Sequence, residues 1–142
     1  MVDRTARDRA ADLIATFANG AITNREFEDG YPMRSGDMAV KRIFDQIWFF
    51  YDDVRTHGLT GSHALSPEDR RMFDRCARFL RTDREYPWPH ASFISFWGFV
   101  RWLPPFKGWL QRQTEEFAAK GDIDVWPFLS AADDPGENGH QE

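Results

Sequence analysis

The sequence predicts an all-α protein, and three observations support that fold class. Apolar residues recur three and four positions apart in several stretches, as they do along the buried face of a helix. Residues that favour helix N-caps precede these stretches, and glycine or proline follows them. No segment alternates apolar and polar residues with the period of two that indicates a half-buried strand. The 142 residues, 42% of them hydrophobic, are enough for a single compact bundle of five or six helices.

The first helix is predicted from Asp3 to Asn19. Ile14 and Phe17 lie on one helical face together with Ala10, and Gly20 provides a left-handed cap at the end. The chain therefore begins with an amphipathic helix.

The second helix has the clearest local signal in the chain. Thr23 and Glu26 have the spacing of a capping box, and Ile22 and Phe27 occupy the two positions of a hydrophobic staple. A short helix is predicted from Asn24 to about Asp29.

The third helix is predicted to begin after Asp37 and to reach about Thr56. Its apolar residues repeat at three and four: Val40, Ile43, Phe44, Ile47, Trp48, Tyr51 and Val54. Phe49 and Phe50 widen the apolar arc beyond one stripe. The sequence thus predicts that this is the central helix, packed on more than one side.

A fourth helix is predicted to start at Ser66 and Pro67, which have the residue types of an N-cap and a first helical position. Phe73, Cys76 and Phe79 share its apolar face. Prolines 87 and 89 then predict an extended connector.

The region after the connector is dense in apolar residues. The apolar run from Phe93 to Leu103 fits a buried helix or a buried strand, and its low content of β-branched residues favours the helix. A last helix is predicted from about Phe106 to Lys120. We predict a single helical domain over residues 1–129 and a disordered acidic tail over residues 130–142.

Charge is distributed unevenly along the chain, which has a net charge of −5. Residues 122–142 contain six acidic residues and no lysine or arginine, so the rest of the chain is almost neutral. A nucleic-acid partner is not expected, because phosphate recognition needs a basic surface. The chain also has one cysteine, no apolar signal-peptide region and no apolar run of about 20 residues, which predicts a bacterial cytoplasmic protein that does not bind membranes.

No catalytic set is evident, and no cofactor is predicted. Asp53 and His57 are four residues apart, with Asp52 and His63 nearby, and together they could form a metal site. Ordinary solvated helix residues are the favoured interpretation. Cys76 lies on an apolar helix face, where a thiol is inert.

Two groups of residues are candidates for binding another protein. An arginine row on the fourth helix is formed by Arg71, Arg75 and Arg78, although a charged face towards solvent is the favoured interpretation. Four tryptophans lie in or beside proline-rich turns: Trp88, Trp102, Trp109 and Trp126. Tryptophan concentrates binding energy at interfaces, but it also fills the cores of small helical proteins, and core filling is the favoured interpretation.

Three runs resemble an uncharacterised family of short all-helical bacterial proteins. They are ITNREFED at residues 22–29, IWFFYDD at residues 47–53 and FLRTDREYPWP at residues 79–89. The resemblance covers roughly residues 8–90. It implies a helical body and a bacterial origin, and it implies no activity, cofactor or functional residue.

The function expected from these observations is that of a small cytosolic protein-binding protein: an inhibitor, an immunity-type protein or an adaptor without catalytic activity. A basic partner fits the net acidic charge, and a homodimer fits the surplus of apolar residues. The alternative is a metal-dependent enzyme or ligand binder that uses Asp52, Asp53, His57 and His63.

Overall fold

A computed structural model describes residues 1–51, 54–89 and 115–136, and this part of the chain is helical, as predicted. The four main helices are Arg4–Ala18 (α1), Asn24–Gly30 (α2), Met38–Ile47 (α3) and Pro67–Leu80 (α4). Residues 115–120 form a further helical stretch. The predicted helix from Phe93 to Leu103 and the start of the one after it lie outside the described residues. Within the described ranges no helix has the length and apolarity needed to cross a membrane.

The helix at the centre of the described bundle is α1, which contacts α2, α3 and α4. Its buried face includes Ala10, Ala11, Ile14 and Phe17, none of which is exposed. Alanine side chains allow a neighbouring helix to approach closely, and α1 packs most extensively against α4. Among the described helices, the central place predicted for the third helix is therefore taken by α1.

The N-terminal caps of α2 and α4 are those expected from the sequence, whereas Asp3, which the prediction placed inside the first helix, is the cap of α1. The Asp3 side chain accepts a hydrogen bond from the Ala6 backbone N–H at 3.1 Å, and Ser66 Oγ accepts one from the Asp69 N–H at 3.1 Å. Both reciprocal bonds of the Thr23 and Glu26 capping box are present. Local sequence thus determines where these helices begin.

Arginines from neighbouring elements satisfy the carbonyl groups at the helix C-termini. Arg70 donates to Ala18 O at 3.1 Å, at the end of α1, and Arg9 donates to Gly30 O at 2.7 Å, at the end of α2. Arg4 donates to Leu80 O, the last residue of α4. Each contact neutralises the partial negative charge of a helix end and also joins two elements.

A buried ion pair joins α1 to the start of α3. Arg7 Nε lies 2.6 Å from Asp37 Oδ2, and Arg7 Nη2 lies 3.1 Å from Asp37 Oδ1. Asp37 is also the N-cap of α3, because its Oδ1 accepts from the Ala39 N–H at 2.9 Å. Arg7 additionally donates to the backbone carbonyls of Thr82 and Arg84. One guanidinium therefore fixes α1, α3 and the chain after α4.

Aromatic rings fill the space between α1, α2 and α4. Phe17 stacks on Phe27 with ring centroids 4.7 Å apart, and the centroids of Phe17 and Phe73 are 6.4 Å apart. We call Phe17, Phe27 and Phe73 the inner aromatic cluster. All three are fully buried.

The C-terminal segment folds back onto α4. Phe128 packs edge-on against Phe79 at 5.3 Å, and a bidentate ion pair joins Arg78 to Asp134, at 2.8 and 2.6 Å. The prediction of disorder from residue 130 is therefore corrected for residues 130–136. Acidic composition indicated a solvated tail, but Asp134 is buried against an arginine that the sequence places 56 residues away. Residues 137–142 lie outside the described part of the chain.

Candidate functional site

The helix α3 ends at Ile47, earlier than predicted, and continues as a single 3-10 turn over Trp48–Phe50. The predicted extension to Thr56 is wrong. Tyr51 is extended, packs edge-on against Phe17 at 5.4 Å and donates a hydrogen bond to Glu28 at 3.0 Å. These tertiary contacts outweigh the modest helix propensity of an aromatic run.

The early end of α3 leaves two large aromatic side chains at the surface. Trp48 is 44% exposed and Phe49 is 53% exposed, and their rings meet edge-on with centroids 5.8 Å apart. We call Trp48 and Phe49 the α3 edge. It is an aromatic surface held on a short, fixed turn.

A cleft of about 290 Å³ adjoins the α3 edge and opens to solvent. Three segments form it: the end of α3, the 3-10 turn at Gly61–His63 with the residues after it, and the first turn of α4. The lining residues are Phe49, Phe50, Tyr51, Ser62, His63, Ala64, Leu65 and Asp69. Phe50 is held in place by an edge-on contact with Phe73 of the inner aromatic cluster at 5.4 Å.

The cleft is mostly polar at its accessible surface, and its lining includes one carboxylate, that of Asp69. Asp69 is in the first turn of α4, whose backbone is fixed by the Ser66 cap. Among the described residues that line the cleft there is no lysine or arginine. Such a lining suits a cationic group better than an anionic one, because the carboxylate attracts a cation.

The histidines of the alternative metal site are brought together beside this cleft. The rings of His57 and His63 stack with centroids 3.7 Å apart and planes 18° apart. Ring-nitrogen lone pairs lie in the ring planes, so stacked imidazoles do not direct them at a common point. Asp52 and Asp53 lie outside the described residues, and the described residues include no group of three or more His, Cys, Asp or Glu side chains able to hold a metal ion.

Where the structure describes them, the tryptophans named as candidate binding residues follow the favoured interpretation, which placed them in the core. Trp88 is 2% exposed and donates to Pro127 O at 2.9 Å, and Trp126 is 4% exposed and donates to Tyr86 at 3.1 Å. Both therefore belong to the core, because their indole N–H groups find partners within the fold. Trp102 and Trp109 lie outside the described residues.

Two arginines of the row contact other residues of the fold, and the third is exposed to solvent. Arg75 donates to Trp126 O at 3.3 Å, and Arg78 pairs with Asp134, so both bind the C-terminal segment. Arg71 is exposed.

The cysteine on the opposite face is buried, as predicted, and burial raises the pKa of the Cys76 thiol well above its usual range. The thiol is therefore not ionised at neutral pH.

Sequence reasoning missed the α3 edge because it assigned Trp48 and Phe49 to the core. The available signal was the run Trp48–Tyr51: four successive aromatic residues cannot all face one side of a helix.

The resemblance to a helical bacterial family gains no support from comparison with known proteins. No family model, curated protein or solved structure matches this chain.

Proposed function

We propose that this chain is a protein-binding protein that docks its partner on the α3 edge and the adjoining cleft. The observation that carries the proposal is the exposure of Trp48 and Phe49, at 44% and 53% of their surface, beside a formed cleft. Tryptophan and other aromatic side chains supply much of the binding energy at protein interfaces.

The backbone beneath the α3 edge is fixed, which favours binding. Ile47 is fully buried, and Tyr51 is held by Phe17 and Glu28 on the other side of the turn. Trp48 and Phe49 are therefore presented by a turn fixed at both ends. A preorganised surface loses less conformational freedom on binding than a flexible one.

The partner proposed here is a protein with a basic surface. The chain carries a net charge of −5, which comes from residues 122–142, and the cleft contributes the carboxylate of Asp69. Opposite charge accelerates encounter, while the aromatic contacts supply affinity. An inhibitor, an immunity-type protein or an adaptor would each use such a surface without catalysis of its own.

A photo-crosslinking amino acid at position 49 of the full chain tests the proposal in an extract of the native host. We expect one crosslinked protein, and we expect purified wild-type chain to compete for it while the Trp48→Ser chain competes at least tenfold more weakly. The matched control is Met33→Ser, which removes another exposed apolar side chain, in the loop before α3, and should compete like the wild type.

Two results would overturn the proposal. One is equal competition by wild-type and Trp48→Ser chains. The other is the absence of any crosslinked protein from position 49 under conditions in which the native host makes this chain.

A further inference from the structure

We infer that an arginine surface at the C-terminal end of α4 is a binding site for acidic peptide segments, and that residues 130–136 of the chain itself occupy it and compete with such a ligand. The surface consists of Arg78, in the last turn of α4, and Arg84, in the chain that follows. It shares no residue with the α3 edge or the adjoining cleft, so it would serve a second ligand, beyond the proposed docking surface.

The chain itself shows what these two arginines recognise. Arg78 makes a bidentate ion pair with Asp134, at 2.8 and 2.6 Å, and Arg84 Nη1 lies 2.9 Å from Asp133 Oδ1. Asp134 is fully buried, although it is a carboxylate in an acidic segment. The planar fork of arginine matches carboxylate geometry. Two neighbouring guanidinium groups therefore bind two adjacent carboxylates.

Residues 130–136, which we call the acidic latch, are attached differently from the residues before them. The preceding turn buries apolar side chains, and Phe128 packs edge-on against Phe79 at 5.3 Å. Within residues 130–136, all of which the structure describes, Asp134 is the one buried residue. Segments that bury little apolar surface open locally more often than core segments do. We therefore expect the acidic latch to open while the apolar turn stays in place.

The backbone at Gly136 closes the acidic latch over Arg78. The Gly136 N–H donates to Asp134 Oδ1 at 2.9 Å. A Cβ at position 136 would lie 2.5 Å from Arg78 Nε, which is closer than such atoms approach one another. A larger residue would therefore displace the guanidinium from Asp134. The acidic latch can thus be weakened by a substitution that changes no charge.

An acidic peptide suits this surface better than a simple anion does. Phosphate or a lone carboxylate engages one arginine fork, whereas adjacent aspartates engage both arginines at once. The acidic latch is tethered beside its site, which gives it an effective concentration of about a millimolar or more. A free ligand must compete with it, so opening of the acidic latch regulates access to the arginine surface.

The test titrates the isotope-labelled full chain with a capped peptide that has the sequence of residues 130–136, and follows the amide shifts of Arg78 and Arg84. Asp134→Asn should bind the peptide about tenfold more tightly than the wild type, because the competing latch loses hydrogen bonds to a charged group. The variant should keep its fold, since the Arg78 side chain is 33% exposed and water can solvate its charge.

A second variant releases the acidic latch without removing a carboxylate. Gly136→Ala should also increase the affinity for the peptide. The matched control is Gly36→Ala, where an added Cβ meets no atom within 4 Å, and its affinity should equal that of the wild type. Arg78→Met, introduced into the Asp134→Asn chain, should abolish the gain.

Hydrogen exchange of the wild-type chain tests the opening without any substitution. The Asp134 N–H donates to Ala131 O, and the Phe128 N–H donates to Val125 O. The protection factor at Asp134 should be about tenfold lower than that at Phe128, or lower still, if the acidic latch opens by itself. Equal protection at the two amides would overturn the inferred opening.

Three binding results would overturn the assignment of the site. One is equal affinity of the wild-type and Asp134→Asn chains for the peptide. Another is a gain that persists in the chain that also carries Arg78→Met. The third is an equal gain when inorganic phosphate, at matched ionic strength, replaces the peptide, because that result would indicate a site for any simple anion.

Discussion

The two ends of α3 differ in whether their side chains find partners within the fold. At the N-terminal end, Asp37 is 1% exposed and accepts hydrogen bonds from Arg7, from the Asp3 N–H and from the Ala39 N–H. At the C-terminal end, Trp48 and Phe49 are about half exposed, and the cleft beside them is open to solvent. We call the N-terminal end of α3, at Asp37, the closed end. We call its C-terminal end, at Trp48 and Phe49, the open end.

The contrast shows that residue type alone is a poor guide to role in this protein. Charged residues form a buried junction at one end of α3, and aromatic residues form its exposed end. What distinguishes the ends is whether partners within the fold satisfy each group. The closed end contributes to stability, and the open end is available for binding.

The largest expected effect is at the closed end. Arg7→Met leaves the Asp37 carboxylate buried without its charged partner, and removing one member of a buried ion pair costs about 3–5 kcal/mol. We expect a loss of that size in the free energy of unfolding, measured by urea denaturation monitored by circular dichroism.

The matched variant at the closed end is the double change Arg7→Met with Asp37→Asn. Asparagine is a good N-cap, so α3 keeps its cap while the unpaired charge is removed. The double variant should be more stable than Arg7→Met alone. If the double variant is less stable than Arg7→Met, the unpaired charge is not the cause of the loss.

A second effect at the closed end depends on pH. Burial by itself would raise the pKa of Asp37, but hydrogen bonds from Arg7 and from the Asp3 and Ala39 N–H groups, together with the Arg7 charge, hold that pKa below its ordinary value. A lowered pKa in the folded state gives stability that is present above the unfolded-state value of about 3.9 and is lost as the pH falls through the folded-state value.

The unfolding free energy should therefore fall between about pH 5 and pH 2, and it should fall less in Asp37→Asn. Chemical denaturation at several pH values measures both slopes. Asp134 also contributes to the fall. Burial by itself would raise the pKa of Asp134, but its contacts with Arg78 hold that pKa below its ordinary value. Part of the fall should therefore remain in Asp37→Asn. Identical slopes in the two proteins would contradict the role assigned to Asp37.

The local features of the fold could be predicted from the sequence, because they depend on residues near one another. The caps at Thr23 and Ser66 lie within three residues of the groups they satisfy. The end of α3 could not be predicted in this way. It depends on Tyr51 contacting Phe17 and Glu28, which the sequence places 34 and 23 residues away.

The candidate site was missed for a related reason. The periodic pattern of α3 continues through Trp48 and Tyr51, and a pattern cannot show where tertiary contacts stop a helix. The buried positions of Trp88 and Trp126 likewise depend on the return of the C-terminal segment to α4. Tryptophan content indicated binding, but it did not identify which rings reach the surface.

The smallest expected effect on stability is at the open end. Phe49→Ser should change the free energy of unfolding by about 0.5 kcal/mol or less, because substitutions at exposed positions remove few packing contacts. Phe27→Ala, in the inner aromatic cluster, should instead cost about 3–5 kcal/mol. The same urea denaturation measures both variants.

This pair tests whether the two kinds of aromatic residue have separate roles. Phe49→Ser should keep its fold and lose competition in the crosslinking experiment, since its ring faces solvent and borders the cleft. A large loss of stability in Phe49→Ser would mean that the ring supports the end of α3 from outside. In that case the aromatic run would stabilise the turn itself, and its exposure would no longer argue for a partner.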